Sequence, residues 1–170
     1  MQITIRRATS GDAAATAELF LRARRAGSAQ GSIPPLVHDD DDVRDWIAHA
    51  LVPRLECWVA VQESGAIVGM LVLNADWVDH LYVDPDVTGA GVGSDLIAKA
   101  KRERPGGLRL WTFVSNEGAQ RFYLRHGFAE VERADGSSNE EGAPSILYAW
   151  SPPRSSGESA IILSTASRCC

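Results

Sequence analysis

The sequence predicts an α/β fold of the α+β kind, a mixed and mostly antiparallel sheet of roughly six to seven strands flanked by about four helices. Two observations predict it. Apolar, β-branched runs at 57–62 and 66–73 are separated by Glu63-Ser64-Gly65, which reads as a hairpin. The runs at 78–83 and 108–114 are joined instead by one helical stretch of about a dozen residues, a crossover that makes those two strands parallel.

The remaining elements follow in order. Residues 2–7 alternate as a first strand, and Thr9-Ser10-Gly11-Asp12 caps a helix expected from Ala13 to about Ala26. Residues 27–38, with Gly31, Pro34 and Pro35, read as a loop. Asp39 to Asp42 lead into a second helix with Val43, Trp46, Ile47 and Leu51 on one face, and carboxylates there are stabilised by the helix dipole. Trp46, Trp58, Trp77 and Trp111 are read as core or pocket wall. The third helix, from Val92 to about Arg104, stops at Pro105-Gly106-Gly107. A short fourth helix, capped by Ser115-Asn116, ends at Gly127, and strands follow near 128–133 and 145–150. Residues 1–150 are expected to form one domain, and 151–170, rich in Ser with Pro152-Pro153, a disordered tail in which Ile161-Ile162-Leu163 could dock.

Composition narrows the function. The chain has 170 residues, 45% of them hydrophobic and five of them Trp, enough for one substantial core. A net charge of −5 argues against a nucleic-acid surface. The three cysteines, Cys57, Cys169 and Cys170, make no disulfide framework and fit a reducing compartment. No apolar run approaches membrane length and the N-terminus lacks a leader's apolar region, so the expectation is a soluble, cytoplasmic protein without a membrane partner.

The most informative segment is Leu81-Tyr82-Val83-Asp84-Pro85-Asp86-Val87-Thr88-Gly89-Ala90-Gly91-Val92-Gly93-Ser94. It reads as a strand, a Pro-Asp turn, then glycines at alternate positions opening a helix. Missing Cβ atoms let successive N–H groups converge on one anion, and the helix adds its own free N–H groups and dipole. A pyrophosphate suits such a cradle. The same glycines would also serve a plain strand-to-helix turn. A dinucleotide fingerprint wants G-x-G-x-x-G directly after its strand and an acid about 20 residues on; here the spacing is G-x-G-x-G and 108–114 carries no acid, which argues against a nucleotide-dependent oxidoreductase. No Gly-Lys-Ser/Thr follows, so a P-loop is excluded as well.

The second informative segment runs Asn116-Glu-Gly-Ala119-Gln-Arg-Phe122-Tyr123-Leu-Arg-His126-Gly127-Phe128, with Ala119, Phe122 and Tyr123 on one helix face. Together the two segments resemble the GCN5-related N-acetyltransferase (GNAT) superfamily, in its Q/R-x-x-G-x-G/A pyrophosphate motif and its later Asn…Phe-Tyr…Gly-Phe motif. The resemblance covers about residues 2–150 in element order.

The resemblance implies acetyl-CoA as co-substrate, no metal, direct transfer of acetyl to a primary amine, and strands four and five splayed apart at their C-terminal ends. The acceptor is left open: a small molecule, a protein N-terminus or a lysine. It implies that Leu81, Tyr82 and Val83 lie along the pantetheine arm, that the backbone of Thr88, Gly89, Ala90, Gly91, Val92, Gly93 and Ser94 holds the pyrophosphate, and that Asn116 touches the CoA arm. The Val83 N–H would meet the oxyanion and Tyr123 the departing thiolate. Asp79 is the candidate base, because an amine with a pKa of about 8 to 10.4 must lose a proton to attack. By the period-two rule Asp79 shares a face with Leu81 and Val83, and His80 points to the opposite face as a packing histidine. Asn116 also caps its helix. One departure stands out: the motif's opening Arg or Gln is Thr88, which removes a long donor and favours weaker CoA binding. A non-catalytic acyl-CoA-binding or sensory module therefore stays open beside the enzyme, and family members often pair through sheet edges or helices, so a homodimer is open too.

Overall fold

Period-two patterning becomes seven strands in the computed structural model, which describes residues 2–153. They are β1 (Ile3–Arg7), β2 (Glu56–Gln62), β3 (Ile67–Asn74), β4 (Trp77–Val83), β5 (Leu108–Phe113), β6 (Ala129–Ala134) and β7 (Ser145–Trp150). They form one sheet in the order β1-β2-β3-β4-β5-β7-β6. Only the β4–β5 pair is parallel, as the single-helix crossover requires. The tail expected after residue 150 lies, from residue 154 on, outside the described residues, and so does the apolar 161–163 segment.

Two apolar layers sandwich the sheet. On one face α4 (Val92–Glu103) and α5 (Glu117–Arg125) bury Val92, Leu96, Ile97, Ala100 and Tyr123 against Leu71, Leu73, Val78, Leu108 and Leu110. On the other, α1 (Ala13–Ala29) and α2 (Asp40–Trp46) bury Ala17, Leu21 and Val43 against Val59, Met70 and Val72. Each fully buried Leu or Ile contributes about 1.5–3 kcal/mol. A π-helical turn, Ile47–Leu51, prolongs α2 into the short α3 (Val52–Arg54), directly before Pro53, which brings no backbone N–H to the helix.

Two local expectations change and one is resolved. First, α1 runs to Ala29 rather than ending near Ala26. Gly27 permits this, because Ile33 of the following loop folds back so closely that a Cβ at Gly27 would sit 2.7 Å from its side chain. Second, of the two readings left open for Trp46, core or pocket wall, the structure shows the wall: it is 38% exposed and lines a cavity beside Val43, while Ile47 and Leu51 are fully buried. Third, the alternation along β4 breaks. Val72 pairs with His80 and Leu73 with Val78, so Asp79 has no partner on β3 and forms a bulge. Val78, Leu81 and Val83 consequently pack toward α4 and α5, while Tyr82 packs toward α1. His80 and Tyr82 thus keep to the α1 side and Leu81 and Val83 to the other, as period two expects, while the bulge brings Val78 onto the side of Leu81.

Candidate active site

β4 and β5 are paired only at Trp77 and Arg109, with the Arg109 N–H donating to the Asp76 carbonyl at 2.9 Å. Beyond that point β5 follows β7 and β4 follows β3, so the sheet opens into a wedge. The wedge holds a cavity of about 450 Å³ walled by β4, β5, α5 and the end of α1. The Asp84 N–H donates to the Val68 carbonyl on β3 at 2.9 Å. Backbone groups alternate sides along an extended strand, so the N–H and C=O groups of Leu81 and Val83 turn the other way, into the wedge, whereas those of Tyr82 face β3. Leu81 and Val83 therefore present the exposed edge of an incomplete sheet.

At the mouth of the wedge lies the glycine segment. The buried Asp84 carboxylate organises it, accepting from the Asp86 N–H at 3.0 Å and pairing with Arg22 of α1. Gly89 and Gly91 adopt φ of 88° and 89°, the left-handed region open to glycine, and nothing lies within 4 Å of where their Cβ atoms would stand. The N–H groups of Gly89, Gly91, Val92, Gly93 and Ser94 have no hydrogen-bond acceptor among the described residues. Those of Thr88 and Ala90 are already given to Pro85 and Val87 carbonyls, so two of the seven residues assigned to the cradle do not offer an amide. Gly93 has a second purpose. A Cβ there would meet the Phe122 ring at 3.3 Å, so this glycine lets α4 and α5 approach. Thr88 is exposed, and its hydroxyl reaches only the Asp84 carbonyl, at 3.4 Å.

α5 closes the other wall. Asn116 caps it by accepting the Ala119 N–H at 3.1 Å, and it also lines the wedge. His126 ties the helix end to the cradle. Its Nδ1 donates to the Phe122 carbonyl at 2.8 Å, so its Nε2 is left to accept the Ser94 hydroxyl at 3.1 Å. Tyr123 is buried among Phe122, Phe128 and Tyr148 yet lines the wedge. Burial, with Tyr82 nearby, raises its phenol above the ordinary value, so it stays protonated. Asp79 also lines the wedge, and partial burial raises its carboxyl while a hydrogen bond from Asn74 pulls it down. Tyr123, Asp79, Asn116 and the β4 edge thus share one cavity.

Sequence reasoning set His80 aside, and the structure does not. Its ring has no hydrogen-bond partner among the described residues, and burial, helped by the Arg24 cation, pushes it down to about 4, which leaves it neutral at pH 7. His80 and Tyr82 line both the wedge and a second cavity of about 430 Å³ on the α1–α2 side. There Phe20 and Trp46 stand edge to face with the stacked pair His80 and Tyr82, with Phe20–Tyr82 centroids at 5.0 Å and Trp46–His80 at 5.5 Å. Leu36 and Val43 add apolar wall, and Asp42, Glu140 and Glu141 bring carboxylates. Buried Arg24 spans this region, its Nη2 reaching the Pro34 carbonyl at 3.4 Å and the Glu141 carboxylate at 3.2 Å. Only a charged residue amid the apolar pattern of α1 could have flagged Arg24; the partners of His80 come from segments too distant to read together.

A mixed sheet opened between two parallel strands, with free amides at the mouth of the opening, defines the N-acetyltransferase fold class. Residues 53–130 match the model described as Acetyltransferase (GNAT) domain, in line with the resemblance to the GNAT superfamily read from the two motifs. It is 36% identical over 91 residues to the peptidyl-lysine N-acetyltransferase YjaB of Escherichia coli strain K12, across 52% of this chain and 60% of that relative. In sequence, then, the chain spans less than two thirds of the length of that relative. The solution structure of apo-form YjaB from E. coli superposes with a TM-score of 0.72 at 27% identity, covering 88% of this chain and 98% of that one. The PaiA N-acetyltransferase of Thermoplasma acidophilum, solved in complex with coenzyme A, has the same fold, with a TM-score of 0.66 at 19% identity over 89% of this chain and 100% of that one. Among the described residues no helix is long and apolar enough to cross a membrane, and no group of three or more His, Cys, Asp or Glu could hold a metal ion.

Proposed function

We propose that this protein transfers the acetyl group of acetyl-CoA directly to a primary amine. One observation carries the reading: five free amides at the start of α4 lead onto the unpaired edge of β4, and that edge ends in the cavity that holds Tyr123. The donor set fits the co-substrate. Free N–H groups at a helix N-terminus suit a pyrophosphate, and an open strand edge suits the two amides of a pantetheine arm. Residues 1–150 would act as the catalytic domain.

In the reaction the amine nitrogen bonds to the thioester carbon, the C–S bond breaks, one proton leaves the amine for a base, and the sulfur departs as a thiolate that takes a proton from solvent. Asp79, reaching the amine through water, takes the first proton; neutral His80 stands beside the path. The Val83 N–H, turned into the wedge, faces the oxygen on which charge develops. The Tyr123 hydroxyl donates a hydrogen bond to the departing sulfur. Since its pKa is raised well above that of a thiol at about 8.5, it stabilises the thiolate by that bond more than by giving up its proton. Asn116 holds the start of α5 against the arm.

A peptidyl lysine is one acceptor, by likeness to the E. coli relative, and a small amine is the other. Thr88, which lacks a long donor, favours the second reading of a binding or sensory module. Calorimetry with acetyl-CoA, followed by amine-dependent release of free thiol, separates the two: binding without release with any amine would leave only the module. A cytoplasmic location fits both the co-substrate and the free, buried Cys57.

A further inference from the structure

We propose that the second cavity selects a primary amine carrying a second positive charge beyond an apolar spacer. This deepens, and rests on, the acetyl-transfer reading. The cavity shares His80 and Tyr82 with the wedge, so an amine presented there reaches the reacting end of the site from the side away from the glycine cradle. Behind that junction come Phe20, Leu36, Val43 and the half-exposed Trp46, a wall for methylene groups and a ring face for a cation.

The charges at the far end are not in balance. Arg24, the cation of this cavity, is already matched by Glu141. Asp42 has no side-chain partner among the described residues, and Glu140 meets only the imidazole of His38, at 3.3 Å. Asp39, the N-cap of α2, and Asp41 in its first turn stand beside Asp42, with Arg25 and Arg44 as the cations opposite, paired to Asp40 and to Glu18 and Asp41. A distal ammonium or guanidinium would find carboxylates to pair with, and a distal carboxylate would be repelled. A linear diamine and a lysine followed by a basic residue share this chemistry.

The test uses the full chain saturated with CoA and measures amine binding by calorimetry, apart from any turnover. The small-molecule arm compares 1,5-diaminopentane, pentylamine and 6-aminohexanoate; the peptide arm compares acetyl-Lys-Arg-amide with acetyl-Lys-Glu-amide. In at least one arm the doubly charged amine should bind roughly tenfold tighter than its partner, and the arm that responds names the source. The preference should shrink in high salt, as a charge effect must, and should fall to about twofold or less in Asp42→Asn/Glu140→Gln. Both positions are exposed, and an unchanged melting temperature confirms that this variant folds. Equal or tighter binding of pentylamine, or a preference untouched by salt and by the variant, overturns the proposal. A preference for the diamine without acetyl transfer to any amine overturns the enzymatic reading and leaves the cavity's selectivity standing.

Discussion

Trp77 and Arg109 are the one residue pair that joins β4 to β5, and the Arg109 guanidinium lies over the Trp77 ring at 4.4 Å while gripping Asp76 at 2.8 and 3.0 Å. C-terminal of this rivet the edge of β4 that would meet β5 faces the open wedge. The amides of Leu81 and Val83 should therefore exchange with solvent quickly in the free protein and slow markedly when acetyl-CoA is added. Those of Tyr82 and Asp84, already held by β3, should change little. Residue-resolved hydrogen exchange checks this, and equal protection of all four amides before addition would refute the wedge geometry.

Gly91 and Gly93 should respond differently. Gly91→Ala puts a side chain on left-handed backbone, costing about 1–2 kcal/mol, and crowds the anion cradle, so acetyl-CoA affinity drops. Gly93→Ala presses on the Phe122 ring and should lower the melting temperature with a smaller change in affinity. Calorimetry and thermal melts on the same two variants give the comparison.

Tyr123→Phe deletes one hydroxyl and keeps the ring packed among Phe122, Phe128 and Tyr148. Turnover should fall roughly a hundredfold with acetyl-CoA affinity nearly unchanged, since the hydroxyl acts chiefly as sulfur departs. Full turnover with a competent acceptor would make the hydroxyl structural.

Asp79→Asn should trade activity for stability. Because burial raises the folded-state pKa of Asp79 above the ordinary carboxyl value, the folded protein holds that proton more tightly than the unfolded chain. Asp79 thus costs stability once pH rises through its raised pKa, and the Asn variant should gain melting temperature at pH 7 relative to wild type but not at pH 3. Its activity should fall most at low pH, where the acceptor amine is most protonated. A variant less stable at pH 7 would contradict the assignment.

His80 titrates with the opposite sign. Its folded-state value of about 4 lies below the ordinary 6.5, lowered by burial and by Arg24, so wild type should lose stability as pH falls through that interval. His80→Gln should flatten this slope in melts recorded between pH 7 and 4. An unchanged slope would mean that other groups account for the loss.

Much of this architecture is written locally. The Glu63-Ser64-Gly65 turn, the helix between 78–83 and 108–114, and the Asn116 cap each depend on neighbours within a dozen residues, and each is found where the pattern predicts. What escaped reading is non-local. The bulge at Asp79 arises from how β4 must match β3, and the adjacent polar pair Asp79-His80 between Val78 and Leu81 is the only local trace of it. The extra turn of α1 depends on Ile33 folding over Gly27. The second cavity joins Phe20, Trp46, His80 and Glu140, four separate segments whose meeting only the sheet order decides.

The rivet at Trp77 and Arg109 also bears on how long the molecule survives. With one pairing between them, β1–β4 and β5–β7 are halves of a sheet with a seam down the middle, and a seam is where local opening begins. A molecule seated in the wedge would stitch that seam by filling the missing strand position. At a hundredfold excess over its Kd such a ligand adds about 2.7 kcal/mol to stability. The abundance of the protein in a cell would then rise and fall with the supply of the compound that fills the wedge, a metabolic readout that needs no regulator beyond proteolysis.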